Sequence, residues 1–189
     1  MKGQDIVILL KLICLKKQEE EGNLNQPARG TGVDEPYSIR GLAASLGISK
    51  TEVHASINRS LFSGLAIKDR ITGRIRPNHR ALGNFITHGL KYVFPVKPGG
   101  ITRGIPTAFA APMLNSLLIS PGEYIYIWPD AEGKIMGQFV EPLFKSVPEA
   151  VKNDEQLYEY LALIDAIRLG RPREAGLAAK LLEERLLKK

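Results

Sequence analysis

The chain has 189 residues, 44% of them hydrophobic and 24% charged, with a net charge of +6. That apolar content excludes wholesale disorder, and the length suits one large domain or two small ones. No stretch approaches the roughly 18 consecutive apolar residues of a membrane span. The apolar run after Met1 has no small-residue cleavage site behind it, so it is not read as a signal peptide. The single cysteine, Cys14, excludes an internal disulfide framework and a Cys-rich zinc site. Set among Leu and Ile, it reads as a small core side chain. A cytoplasmic protein is expected.

The charge is unevenly placed. Between Ser38 and Lys91 nine basic residues (Arg40, Lys50, Arg59, Lys68, Arg70, Arg74, Arg76, Arg80 and Lys91) stand against two acidic ones, Glu52 and Asp69. That window carries +7 and the rest of the chain −1, which points to a polyanion-binding face.

Taken in order, residues 3–16 carry Ile6, Leu9, Leu10 and Ile13 at the spacing of one helix face. Residues 17–36 then read as a flexible loop, with the acidic run Glu19–Glu21 followed by Gly and Pro. From Ser38 a short helix follows, with Ile39, Leu42, Ala43 and Leu46 inward and Gly47 at its end. Ser49-Lys50-Thr51-Glu52 fits a capping box opening a second helix, whose buried side holds Val53, Ile57, Ser60 and Leu61. Two short helices across a tight glycine turn make a helix-turn-helix. Residues 65–68 and 74–76 alternate as two short strands, joined by a tip at Asp69–Gly73.

Residues 38–76 therefore resemble a winged helix-turn-helix of the MarR-like regulators and winged-helix antitoxins. The likeness rests on Ser38–Ala43, Leu46–Ser49, Val53-His54, Ile57, Leu61, Gly64-Leu65 and the basic hairpin. Gly41 departs from the pattern, where a good helix former is usual, at a cost of about 1 kcal/mol relative to Ala. The resemblance implies double-stranded DNA as partner. Lys50, Thr51 and His54 are then the base-edge candidates at the start of the recognition helix, with Asn58 and Arg59 nearer its flank. Lys68, Arg70, Arg74 and Arg76 on the hairpin would meet minor groove or phosphate, and Ser38 and Arg40 the backbone. Ser49 belongs to the same DNA-binding set, chiefly as the helix cap.

The second half reads as a small α+β domain. A helix from His79 to Leu90 shows a stripe of Ala81, Phe85, Ile86 and Leu90. The Gly/Pro-rich segment 98–107 is expected to thread between strands; its alternative, a phosphate cradle beside Arg103, lacks the glycine spacing of known phosphate loops. Tyr124–Trp128 and Lys134–Val140 read as a β-hairpin with Tyr124, Tyr126 and Trp128 on one face. Two helices follow, one after Asp154 stopped by Gly170, one opened by Pro172.

The expected fold is thus α+β: a winged helix-turn-helix over 1–80, then an α+β partner or dimerisation domain over 81–189. No catalytic motif emerges: His54, His79 and His88 are scattered and no HExxH or Gly-x-Ser-x-Gly occurs. No enzyme, cofactor or metal is expected. The function expected is a sequence-specific transcriptional regulator, an autorepressor acting as a homodimer. In domain order the chain is similar to the abortive-infection antitoxin family, which implies as an alternative an antitoxin that neutralises a toxin encoded nearby. A second alternative is a protein-interaction module with a degenerate winged helix.

Overall fold

The computed structural model describes residues 1–22, 35–118 and 125–187. The fold is mixed α+β and divides into two compact units, Met1–Asn78 and His79–Lys189.

The first unit is built on helix α1 (Gly3–Glu20), which is longer and more deeply buried than its one-face pattern suggests. Ile6 through Leu10 and Leu12 through Leu15 are all buried. A helix apolar on all sides belongs inside a core, and here α2, α3 and β2 pack against it. The loop expected over 17–36 therefore begins later: Lys17 to Glu20 are helical, and residues 23–34 lie outside the described residues.

Helix α2 (Ile39–Leu46) starts where Ser38 Oγ accepts from the Gly41 amide at 3.0 Å and ends at Gly47 with φ 63°. Helix α3 (Lys50–Phe62) starts with Ser49 Oγ accepting from the Glu52 amide at 3.3 Å. Only this half of the expected capping box forms, because the Glu52 carboxylate turns to Lys2, Gln4 and Arg59. The buried side of α3 is Val53, Ser56 and Ser60: Val53 and Ser60 stand as expected, while Ser56 takes the place of Ile57 and Leu61, a slight rotation of the helix. Ile57 and Leu61 are half-buried.

Strands β1 (Ala66–Lys68) and β2 (Ile75–Pro77) pair antiparallel, Ile67 opposite Arg76. At their tip Asp69 Oδ1 accepts from the amides of Ile71 (3.0 Å) and Thr72 (2.8 Å) and from the Thr72 hydroxyl. Gly73 supplies the left-handed turn residue with φ 69°.

Gly41 has a steric reason to be glycine. A Cβ there would lie 2.5 Å from the Glu35 carbonyl oxygen and 3.0 Å from Pro36. The chain entering α2 crosses directly over it, and the helix-propensity cost is accepted for that approach.

The second unit opens with α4 (His79–His88), broken at Gly89 before the short α5 (Leu90–Val93). Leu82 and Ile86 of α4 and Leu90 of α5 are its buried apolar residues, rather than a stripe through Ala81 and Phe85. The 98–107 segment does not thread between strands as a loop. Most of it is strand β3 (Ile101–Thr107), to which both other strands pair. Strands β4 (Tyr126–Pro129) and β5 (Ile135–Phe139) each run antiparallel to β3, but they pair parallel to one another. The expected hairpin is therefore absent. After β4 the chain passes across β3 at Gly104 instead of folding back beside β4, which closes the three strands on each other. A Cβ on Gly104 would collide with the Trp128 carbonyl, and one on Gly133 would lie 2.5 Å from Gly104. Tyr124 lies outside the described residues.

Helix α6 (Val147–Val151) leads to α7 (Glu155–Leu169), capped by Asp154 Oδ1 accepting from the Leu157 amide at 2.9 Å. Helix α8 (Pro172–Leu187) packs on α7 through Ala178, Leu182 and Leu186. In α7 the residues from Tyr160 to Ile167 are all buried, so this helix is the core of its unit as α1 is of the first. Asp165, 1% exposed, accepts from Trp128 Nε1 (2.6 Å), Thr107 Oγ1 (3.0 Å) and Arg168 (2.6 Å). Those bonds join β3, β4 and α7, and the aromatic face of β4 packs on a helix.

Two glycine-to-alanine changes separate sterics from propensity. Gly176→Ala in α8 meets nothing within 4 Å and is expected to raise stability by up to about 1 kcal/mol. Gly41→Ala is expected to lower it by more than about 1 kcal/mol, because the Glu35–Pro36 backbone must move. Urea unfolding of both variants checks the pair; stabilisation by both would mean that the close approach at Gly41 is readily relaxed.

Candidate nucleic-acid interface

On α3, Lys50, Thr51, His54 and Asn58 are all exposed. The Ser49 cap leaves the first turn presented to solvent, and Asn58 Nδ2 makes a long contact of 3.4 Å to His54 Nδ1. On the hairpin, Lys68 and Arg70 are exposed, and Ile71 beside them is 96% exposed. Arg76 is exposed too but pairs with Asp69 at 2.8 Å. Arg40 sits exposed on the first turn of α2, one residue after the Ser38 cap. The Ser38 and Ser49 hydroxyls are both occupied as helix caps.

Arg59 and Arg74 behave differently. Arg59 grips Asp5 with two nitrogens, Nε to Oδ2 at 3.0 Å and Nη2 to Oδ1 at 2.7 Å. Its guanidinium also lies 3.6 Å from Glu52. Asp5 has no exposed side-chain surface, and its Oδ2 also accepts from the Lys2 amide at 2.8 Å. Burial pushes the Asp5 carboxyl up, but the Arg59 and Lys2 hydrogen bonds outweigh it and hold the group below its ordinary range. Arg59 is thus committed to an ion pair with α1.

Arg74 is held by Glu19 at 3.1 Å and Glu35 at 3.0 Å, and its guanidinium carbon lies 4.4 Å from the centre of the Tyr37 ring. Tyr37 donates to Glu19 at 2.9 Å. That hydroxyl and Arg74 lower the Glu19 carboxyl, while burial and the Glu19 charge push the Tyr37 hydroxyl up. The cluster fastens the tip end of the hairpin to the end of α1. The signal for Arg59 was present in the sequence: a lone acid, Asp5, inside an apolar helix needs a cation. Glu19 and Glu35 carried no such signal.

Counted over the first unit in place of the 38–91 window, the charge excess is smaller. Over Met1–Asn78 twelve Lys and Arg stand against eight Asp and Glu, a net of +4. Among the described residues, the cations facing solvent without a carboxylate include Lys50, Lys68 and Arg70, on α3 and the hairpin.

Arg103, on β3, is exposed, and its guanidinium has no partner among the described residues. No three His, Cys, Asp or Glu are placed to hold a metal among the described residues. No described helix is long and apolar enough to cross a membrane. Comparisons with protein-family models, curated proteins and solved structures find no match.

Two outcomes follow from the Asp5–Arg59 pair. Arg59→Ala leaves a buried carboxylate unpaired and is expected to cost about 3 kcal/mol. Because the folded Asp5 carboxyl titrates below its unfolded value, the pair's stabilisation is present above about pH 4 and is lost as pH falls further. Urea titrations followed by far-ultraviolet circular dichroism at pH 6 and pH 3 should show a larger acid loss in wild type than in Asp5→Asn. Equal losses would remove Asp5 as the acid-sensitive group.

Proposed function

We propose that the chain is a sequence-specific double-stranded-DNA-binding regulator, an autorepressor, in which Met1–Asn78 works as a winged helix. Helix α3 enters the major groove and the β1–β2 hairpin is the wing. The observation that carries this reading is the division of the basic residues. Arg59 and Arg74 are consumed by internal carboxylates, while Lys50, Lys68 and Arg70 are left exposed beside the polar face of α3.

In this reading Lys50, Thr51 and His54 meet base edges and Asn58 lies at the flank, where an amide can pair with adenine. Lys68 and Arg70 meet phosphate or minor groove, and Arg40 meets the backbone beside α2. Arg76 joins them by exchanging Asp69 for phosphate. Ser38 and Ser49 serve through the helix starts they cap, whose amides favour anions. A homodimer would present two such surfaces to the half-sites of one operator.

Fluorescence anisotropy with the DNA upstream of the protein's own gene, against scrambled DNA, tests the reading. Wild type is expected to prefer its own sequence and to weaken steeply with salt. The double variant Lys50→Ala/Arg70→Ala should bind at least tenfold more weakly at unchanged thermal stability. The salt dependence should lose about one unit of slope for each cation that met phosphate. Equal, weak binding to both DNAs would end the regulator reading.

A further inference from the structure

The His79–Lys189 unit contains a cavity of about 490 Å³ between α4 and the last turns of α8. Small-ligand sites commonly enclose roughly 300–1,000 Å³. Arg80, Asn84, Thr87 and His88 line it from α4. Their spacing places them on one side of the helix, away from Leu82 and Ile86, which enter the core. None of the four has a hydrogen-bond or ion-pair partner among the described residues. All four can donate hydrogen bonds, and Arg80 is permanently cationic.

Gly83 lies between them and leaves the space open. A Cβ there would meet only Leu186 Cδ1, at 3.7 Å. From α8, the exposed Leu187 adds apolar surface, the buried Leu186 forms the floor, and Glu183 adds a single carboxylate. His79 Nδ1 donates to the Leu186 carbonyl at 2.7 Å, tying the first turn of α4 to the end of α8. From Arg80 to His88 the lining runs about 12 Å along the helix axis. That is the length of a mononucleotide or a similar small organic molecule.

We propose that this groove binds a small organic anion of about mononucleotide size. Its phosphate or carboxylate sits on Arg80, its other acceptors meet Asn84, Thr87 and His88, and an N–H group faces Glu183. The apolar body lies on Leu187, over the floor that Leu186 forms. A bare anion would leave those leucines and the remaining donors unused, so the site selects for the organic part as well as the charge. The inference does not rest on DNA binding, and its test uses no DNA.

Isothermal titration of the full chain with adenosine monophosphate, benzoate and inorganic phosphate provides that test. Saturable binding of adenosine monophosphate or of benzoate is expected, with inorganic phosphate at least tenfold weaker. Preference between the first two identifies the anionic group as phosphate or carboxylate. Arg80→Ala and Gly83→Leu, which fills the groove, should each weaken binding at least tenfold at an unchanged thermal midpoint. Asn84→Ala, a smaller change on the exposed face, should weaken it in the same direction. No saturable binding of either organic anion at millimolar concentration overturns the proposal, and so does binding that all three variants leave intact.

Discussion

A carboxylate taken into an apolar interior costs several kcal/mol unless a cation and hydrogen bonds go with it. In the first unit that condition falls on Asp5, in the first turn of a helix buried on every side. Arg59 meets it from the far end of α3, and doing so sets the rotation of that helix. With Arg59 over α1, the residues turned inward are Val53 and the small Ser56 and Ser60, which allow the two helices to lie close. The same rotation carries Lys50, Thr51, His54 and Asn58 outward. The surface assigned to DNA is thus positioned by an ion pair on the opposite side of the helix.

The second unit repeats the device. Helix α7 is buried through Tyr160 to Ile167, and its acid, Asp165, gathers Arg168, Thr107 and Trp128. Arg168 in turn donates to the carbonyls of Phe94 and Glu141. One buried carboxylate therefore fixes the sheet to the helix and two loops to both. Removing the cation of such a group leaves a buried carboxylate uncompensated, a loss of the same order as deleting a core leucine.

Local features were legible in the sequence because their causes lie within a few residues. The Ser38, Ser49 and Asp154 caps, the Gly47 stop and the two hairpin strands all stand where their residue types predict, the strands within one residue. What escaped depends on distant chain. Asp5 is 54 residues from Arg59, and Glu19 is 55 from Arg74, so a charge sum over a window counts cations whose partners lie outside it. The crossing at Gly104 escaped for a related reason. Two β-forming runs joined by a five-residue turn look alike whether they pair with each other or straddle a third strand, and only β3 decides. Gly41 looked like a defect in a helix because the segment that passes over it carries no mark of its path. For the candidate interface, the exposed polar residues of α3 could be read from helical periodicity; the inward turn of Arg59 was marked only by the lone Asp5 in an apolar helix, and that of Arg74 by nothing local.

Trp128 is the only tryptophan in the chain, and it lies buried with its indole N–H on Asp165. Its emission consequently comes from the His79–Lys189 unit alone, whereas the amide circular dichroism comes from both units. A denaturant titration followed by both signals resolves whether the two cores melt together or in sequence. The indole thus acts as a built-in optical label for one half of the molecule.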